Sequence, residues 1–281
     1  MAVIKSLTKA PGLLASNPVL FVPLFVLYLL SSIQTVSQSV APLAGAIIAL
    51  VMSGVLFFLG PLFQAGTIGM TNEAATSSRT SLGTFVQDAK QHYVSVLGAY
   101  LGFVVIMIGL IIVAVIAGGI VAAIYFFVSD SLVVVALGAL VGLAVGIAYF
   151  AIAFLLQFYA HAIVIEDYGA VDGLKRSVSV VRDNLLAVGG YFLIVFAGGA
   201  VLTVLYVGLL WLLPIPFITE PATTVTLEIA LLEALLTVVV LAPFGAVYLV
   251  YSVLFYRTLL GDTPVSNGPA QSTDAAVESS I

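Results

Sequence analysis

Three basic side chains, Lys175, Arg176 and Arg182, fall within eight positions of an otherwise apolar chain. At a membrane surface such a group can hold a lipid phosphate or contact a partner protein, each basic residue contributing about 1 kcal/mol near anionic lipid. Four acids, Glu166, Asp167, Asp172 and Asp183, share the stretch IEDYGAVDGLKRSVSVVRDN and nearly cancel the positive charge. That balance favours an interfacial helix, capped by Asp172 and supported by pairs from Asp172 to Lys175 and Arg176 at i+3 and i+4. Gln157 and His161 lie one helical turn apart, and with Glu166 they form a candidate polar pocket. The competing reading is that such residues, Gln64 included, bridge helices through hydrogen bonds. His92 falls in a polar segment and reads as solvated. Glu228 and Glu233 raise proton or cation coupling, but their five-residue spacing puts them about 140° apart on a helix, so they do not form one paired site.

Most other chemistry is excluded by residue type. With no cysteine there is no disulfide, thiolate metal site or cysteine nucleophile, and two histidines cannot build a histidine-rich metal centre. H-E-x-x-H, G-x-S-x-G and G-x-x-x-x-G-K-[ST] are all missing. Ser6-Leu7-Thr8-Lys9 matches S-x-x-K only by letter. No enzyme activity, metal or cofactor is therefore expected, and basic residues this few and this balanced do not suit nucleic acid.

The elements that must position these residues follow from composition. Of 281 residues, 62% are hydrophobic and 7% charged, against about 25% charged in an ordinary soluble domain. Crossing a core of about 30 Å takes roughly 20 apolar residues in a helix. Six runs suffice: about 19–39, 43–70, 94–128, 132–165, 185–213 and 225–257. Pro23, Pro61 and Pro243 are expected kink sites. The fold class is an all-α polytopic membrane protein with short cytoplasmic interfacial helices. It forms one domain over 1–260, and the Ser-, Pro- and Gly-rich acidic tail over 261–281 is expected to be disordered.

All eight basic residues fall in alternate non-membrane segments, whereas the loops around Ala41, Asp130 and Glu220 have none. By the positive-inside rule both termini are cytoplasmic, in the cell membrane. The segments before spans one, three and five also resemble one another. Leu174, Val178, Val181 and Leu185 form an apolar stripe. Shifted back 92 positions, Thr80 takes the cap and Leu82, Val86, Ala89 and Tyr93 the stripe, with Gly98 matching Gly190. Ile4, Leu7, Leu14 and Asn17 map onto Val171, Leu174, Val181 and Asn184. The pattern suggests three units running in the same direction, a parallel repeat. Within span four, Gly138, Gly142 and Gly146 share one face, which lets a second helix pack closely; with six helices in the chain, an internal partner is expected.

The stretches FYAHAIVIEDYGAVDGLKRSVSVVRDN, LLASNPVLFVPL and FYRTLLGD resemble the six-helix membrane domain found with some glycerophosphodiester phosphodiesterases. They are also similar to related stand-alone membrane families of unknown function, including ones common in halophilic archaea. The resemblance runs from about Pro11 to Asp262. It implies a membrane module without the separate hydrolase barrel, and it carries over no catalytic residue. The leading expectation is thus a non-enzymatic membrane protein that binds or organises membrane lipid, a membrane protein partner or a second copy of itself. A small-solute or lipid transporter is the alternative, and an intramembrane enzyme comes last.

Overall fold

In lipid no water satisfies backbone N–H and C=O groups, so a long apolar run must close its hydrogen bonds within itself as a helix. The computed structural model, which describes residues 2–212 and 226–261, has that form. In chain order the helices are α1 (Ala2–Ser16), α2 (Phe21–Val40), α3 (Pro42–Ser77), α4 (Leu82–Phe127), α5 (Leu132–Leu156), α6 (Tyr159–Glu166), α7 (Ala170–Asp183), α8 (Leu185–Leu212) and α9 (Leu227–Leu259). Among the described residues there is no strand, and six stretches are long and apolar enough to cross a membrane. The tail over 262–281 and the loop around Glu220 lie outside the described residues.

The eight basic residues gather at one end of the bundle, where α1, the α3–α4 turn, α7 and the end of α9 meet. Side chains tie these elements together. Ser6 bonds Thr258 at 3.2 Å, and Arg257 donates to Asn72 at 2.6 Å. Asn17, only 3% exposed, donates to Ser78 O and accepts from Thr80 N–H, both at 3.2 Å. The core sits in this half of the molecule. Its pillar is α6, whose residues from Tyr159 to Val164 are all buried. Around it Phe158, Tyr191, Tyr251, Phe255 and Tyr256 form an aromatic cluster, with the Tyr191 and Phe255 rings stacked 4.6 Å apart. Gly69 and Gly173 allow close approaches in this half: a Cβ on Gly69 would collide with the Asp88 carboxylate, and one on Gly173 would stand 2.5 Å from Ile163 Cγ1.

Several expectations need correcting. The second interfacial segment is no separate helix but the start of α4, whose 46 residues run about 70 Å unbroken. Its cap is Ser81, which accepts from Thr84 N–H, rather than Thr80. The cap of α7 is Gly169, and Asp172 lies one turn further in. The apolar stripes mark the packed faces only in part: Val181 and Ala89 are buried and Leu174 packs against the core. On α7 the buried residues are Gly173, Ser177, Val180 and Val181, while Leu185, the first residue of α8, is exposed. On α4 they are Ala89, His92, Val96 and Ala99, while Leu82 and Val86 are exposed. His92 is buried rather than solvated, with Nδ1 3.7 Å from Asp167. In a bilayer large aliphatic side chains are at home facing lipid, and small or polar residues mark where helices meet. Pro61 and Pro243 lie inside continuous helices, Pro23 in the first turn of α2.

The expected internal partner for the glycine stripe covers only part of it. Gly138 faces Val121 of α4, whereas a Cβ added at Gly142 or Gly146 would meet nothing within 4 Å.

Candidate functional site

Span four breaks where neither proline nor glycine forces it. α5 ends at Leu156, and α6 starts at Tyr159. A break at membrane depth frees backbone groups that lipid cannot satisfy. Here α7 satisfies them: fully buried Ser177 donates to Leu155 O at 2.8 Å and accepts from Phe158 N–H at 3.1 Å. Gln157 adds a bond from its side-chain amide to Phe154 O at 2.9 Å. The only signal of Ser177 in the sequence is a small polar residue flanking the apolar stripe.

The break lines a cavity of about 470 Å³ bordered by α2, α3, α4, α6 and α9, within the range of small-molecule sites. Gln157 and His161, paired by spacing alone, both line it. Around them stand Tyr28, Gln64, Thr67, Tyr100, Tyr159, Tyr248 and Ser252, amid aliphatic and phenylalanine side chains. Among the described residues no Asp, Glu, Lys or Arg lines the cavity. Several of its polar groups are held by neighbours. The Tyr159 hydroxyl donates to Gln64 Oε1 at 3.0 Å, and His161 Nε2 meets Ser252 Oγ at 3.0 Å. These bonds join α3 to α6 and α6 to α9, the helix-bridging role that the residue types suggested. His161 Nδ1 is buried and has no hydrogen-bond partner among the described residues, an arrangement that costs about 1–3 kcal/mol. Gly60 also lines the cavity, and a Cβ added there would meet nothing within 4 Å.

Glu166, the third member of the expected pocket, does not line it. Its carboxylate accepts from Arg176 Nε at 3.0 and 3.2 Å, from Arg176 Nη2 at 2.9 Å, and from the Tyr256 hydroxyl at 2.5 Å. The hydrogen bonds to Glu166 raise the Arg176 pKa above its ordinary value, so the guanidinium stays charged and engaged. Lys175 pairs with Asp172 at 3.2 Å on the exposed side of α7, as the i+3 spacing suggested, and Arg182 is exposed in its last turn. The three basic residues thus do not converge on one point: Arg176 turns inward to an acid, and the other two face outward.

Glu228 is exposed in the first turn of α9, and Glu233 is half-buried in the second. Neither reaches the cavity, whose contacts on α9 run from Gly245 to Ser252.

Residues 1–259 match the model of a family described as a domain of unknown function, DUF7847. No curated protein and no solved structure matches the chain.

Proposed function

The chain belongs to the DUF7847 family, and from that premise we propose that this multi-pass membrane protein is a non-enzymatic binding module. Its ligand is uncharged and hydrogen-bonding, and it reaches the cavity from the membrane. One observation carries the reading: the buried half of the bundle borders a ligand-sized space lined by Tyr, Gln, Thr, Ser and His side chains and, among the described residues, by no ionised group. Desolvating a charged ligand without a counter-charge would cost far more than desolvating a hydroxyl or amide, so the lining selects for neutral polar groups. The resemblance to a membrane domain that leaves catalysis to a separate barrel supports the same non-enzymatic class. The distribution of basic residues supports a cell-membrane setting with their end of the bundle, and both termini, on the cytoplasmic side.

Transport is the second reading, favoured by the helix break beside the cavity, since transporters build substrate sites at interrupted helices. In those sites the freed helix ends are available to substrate. In this chain Ser177 and Gln157 already occupy them, so the break reads as a fixed bend rather than an ion or substrate cradle.

Native mass spectrometry on gently extracted protein tests the binding reading. The wild type should carry an uncharged lipid or other neutral amphiphile. Gly60→Leu, which fills the cavity from a position with open space around it, should release it. Equal retention by both proteins, or none by either, overturns the proposal. Uptake of a neutral solute into proteoliposomes, abolished by Gly60→Leu, would move the assignment to transport.

A further inference from the structure

A second space opens beside the cavity, and its chemistry is the opposite. α8 and α9 meet towards both ends of their contact: the Tyr191 ring stacks on Phe255 at 4.6 Å, and the Tyr206 hydroxyl meets Thr237 Oγ1 at 2.7 Å. Between these contacts the helices leave a slot of about 500 Å³. Its walls are aliphatic or aromatic, with Ile194, Gly198 and Val201 on one side and Phe244 and Val247 on the other. Gly198 keeps it wide, since a Cβ there would already stand 3.6 Å from Phe244. The slot lies within the spanning stretches of both helices, where only lipid chains or protein can fill it. Tyr248 lines both the slot and the polar cavity.

We propose that a single long-chain lipid with an uncharged, hydroxyl-bearing head occupies both spaces, its head in the cavity and one chain in the slot, with Tyr248 at the boundary. The inference rests on the binding reading above and names the ligand class. Acyl chains gain nothing from water exclusion inside a bilayer, so the slot contributes by shape, through packing contacts. Head selection comes from the cavity, where phosphate would find no cation among the described residues.

The test compares dioleoylglycerol, dioleoyl phosphatidylglycerol and glycerol as probes. Each is titrated onto delipidated full-length protein in detergent and read by native mass spectrometry. Wild type should retain dioleoylglycerol at least about tenfold more tightly than the phosphatidylglycerol, and glycerol alone should not bind. Gly60→Leu fills the cavity. Gly198→Leu and Val201→Trp fill the slot, and the second starts from an exposed position, so one slot variant folds even if the other does not. Loss of dioleoylglycerol from cavity and slot variants alike supports the proposal. Loss from Gly60→Leu with full retention by both slot variants overturns the shared-lipid inference while leaving the binding reading intact. Retention by every variant overturns both. Preference for the phosphatidylglycerol overturns the uncharged head.

Discussion

Arg176 and Glu166, ten residues apart, clamp α6 to α7 through a forked ion pair whose Nη2–Oε2 arm measures 2.9 Å. The turn between them passes through Asp167 with a φ of 59°, so the pair closes a tight reversal at the membrane boundary. Both side chains are largely but not fully covered, at 32% and 18% exposure, which places the pair between a screened surface contact and a dry one. A double-mutant cycle with Arg176→Met and Glu166→Gln, read by denaturation in detergent, should give a coupling energy of about 1–2 kcal/mol. Coupling near zero would mean that the clamp is ornamental. Because Arg176 is already engaged, Arg176→Met should leave retention of anionic lipid unchanged.

Ser177 is the residue on which the break in span four depends. Ser177→Ala strands Leu155 C=O and Phe158 N–H where no water can reach them, and should cost about 1–3 kcal/mol. The expected readout is a lower unfolding temperature with secondary structure intact. Ligand retention should fall as well, because Gln157 and His161 flank the same bend. An unchanged unfolding temperature would show that other groups satisfy the break.

The six spans were legible because lipid imposes one rule on every backbone, and run length alone reports it. Gathering of Lys5, Arg79, Arg176 and Arg257 at one end was legible for a similar reason, as charges mark the boundary. Helix faces were legible only in part. Of the expected stripe Leu174, Val178, Val181 and Leu185, Val181 is fully buried and Leu174 packs against the core, but Leu185 is exposed. The buried face of α7 extends to Gly173, Ser177 and Val180, small or short residues that a rule borrowed from water passes over. The bend after Leu156 was invisible because its cause, Ser177, lies 22 residues from the carbonyl it satisfies. The cavity was half visible: Gln157 and His161 stood out as polar residues in an apolar run, but Tyr28, Tyr100 and Tyr248 join them from helices that no local pattern brings together.

The proposed repeat between the first and third units has a structural counterpart at Asn17 and Asn184. Both sit at a junction between an amphipathic helix and a spanning one, with φ of −133° and −131°. Each donates from its side-chain amide to the carbonyl four residues back, at 3.2 and 3.0 Å. They differ in what else they hold, since Asn17 alone also binds the α3–α4 turn through Ser78 and Thr80. Asn17→Ala should therefore cost about 2–3 kcal/mol and Asn184→Ala about 1 kcal/mol. Equal losses in thermal unfolding would mean that the turn contacts add nothing.

The glycine stripe on α5 separates spacing from packing. Gly138, Gly142 and Gly146 share a face by arithmetic, yet only Gly138 has a neighbour at close range, with its added Cβ 3.2 Å from Val121 Cγ1. Gly138→Leu forces α4 and α5 apart and should cost about 1–3 kcal/mol through overpacking. Gly142→Leu projects into open space, removes a flexible residue from a helix interior and should leave stability unchanged or raise it by up to about 1 kcal/mol. Unfolding temperatures of the two variants in detergent decide the matter. A large loss for Gly142→Leu in the monomer would contradict the open face, and a loss accompanied by dissociation of a larger species would place that face between copies of the chain.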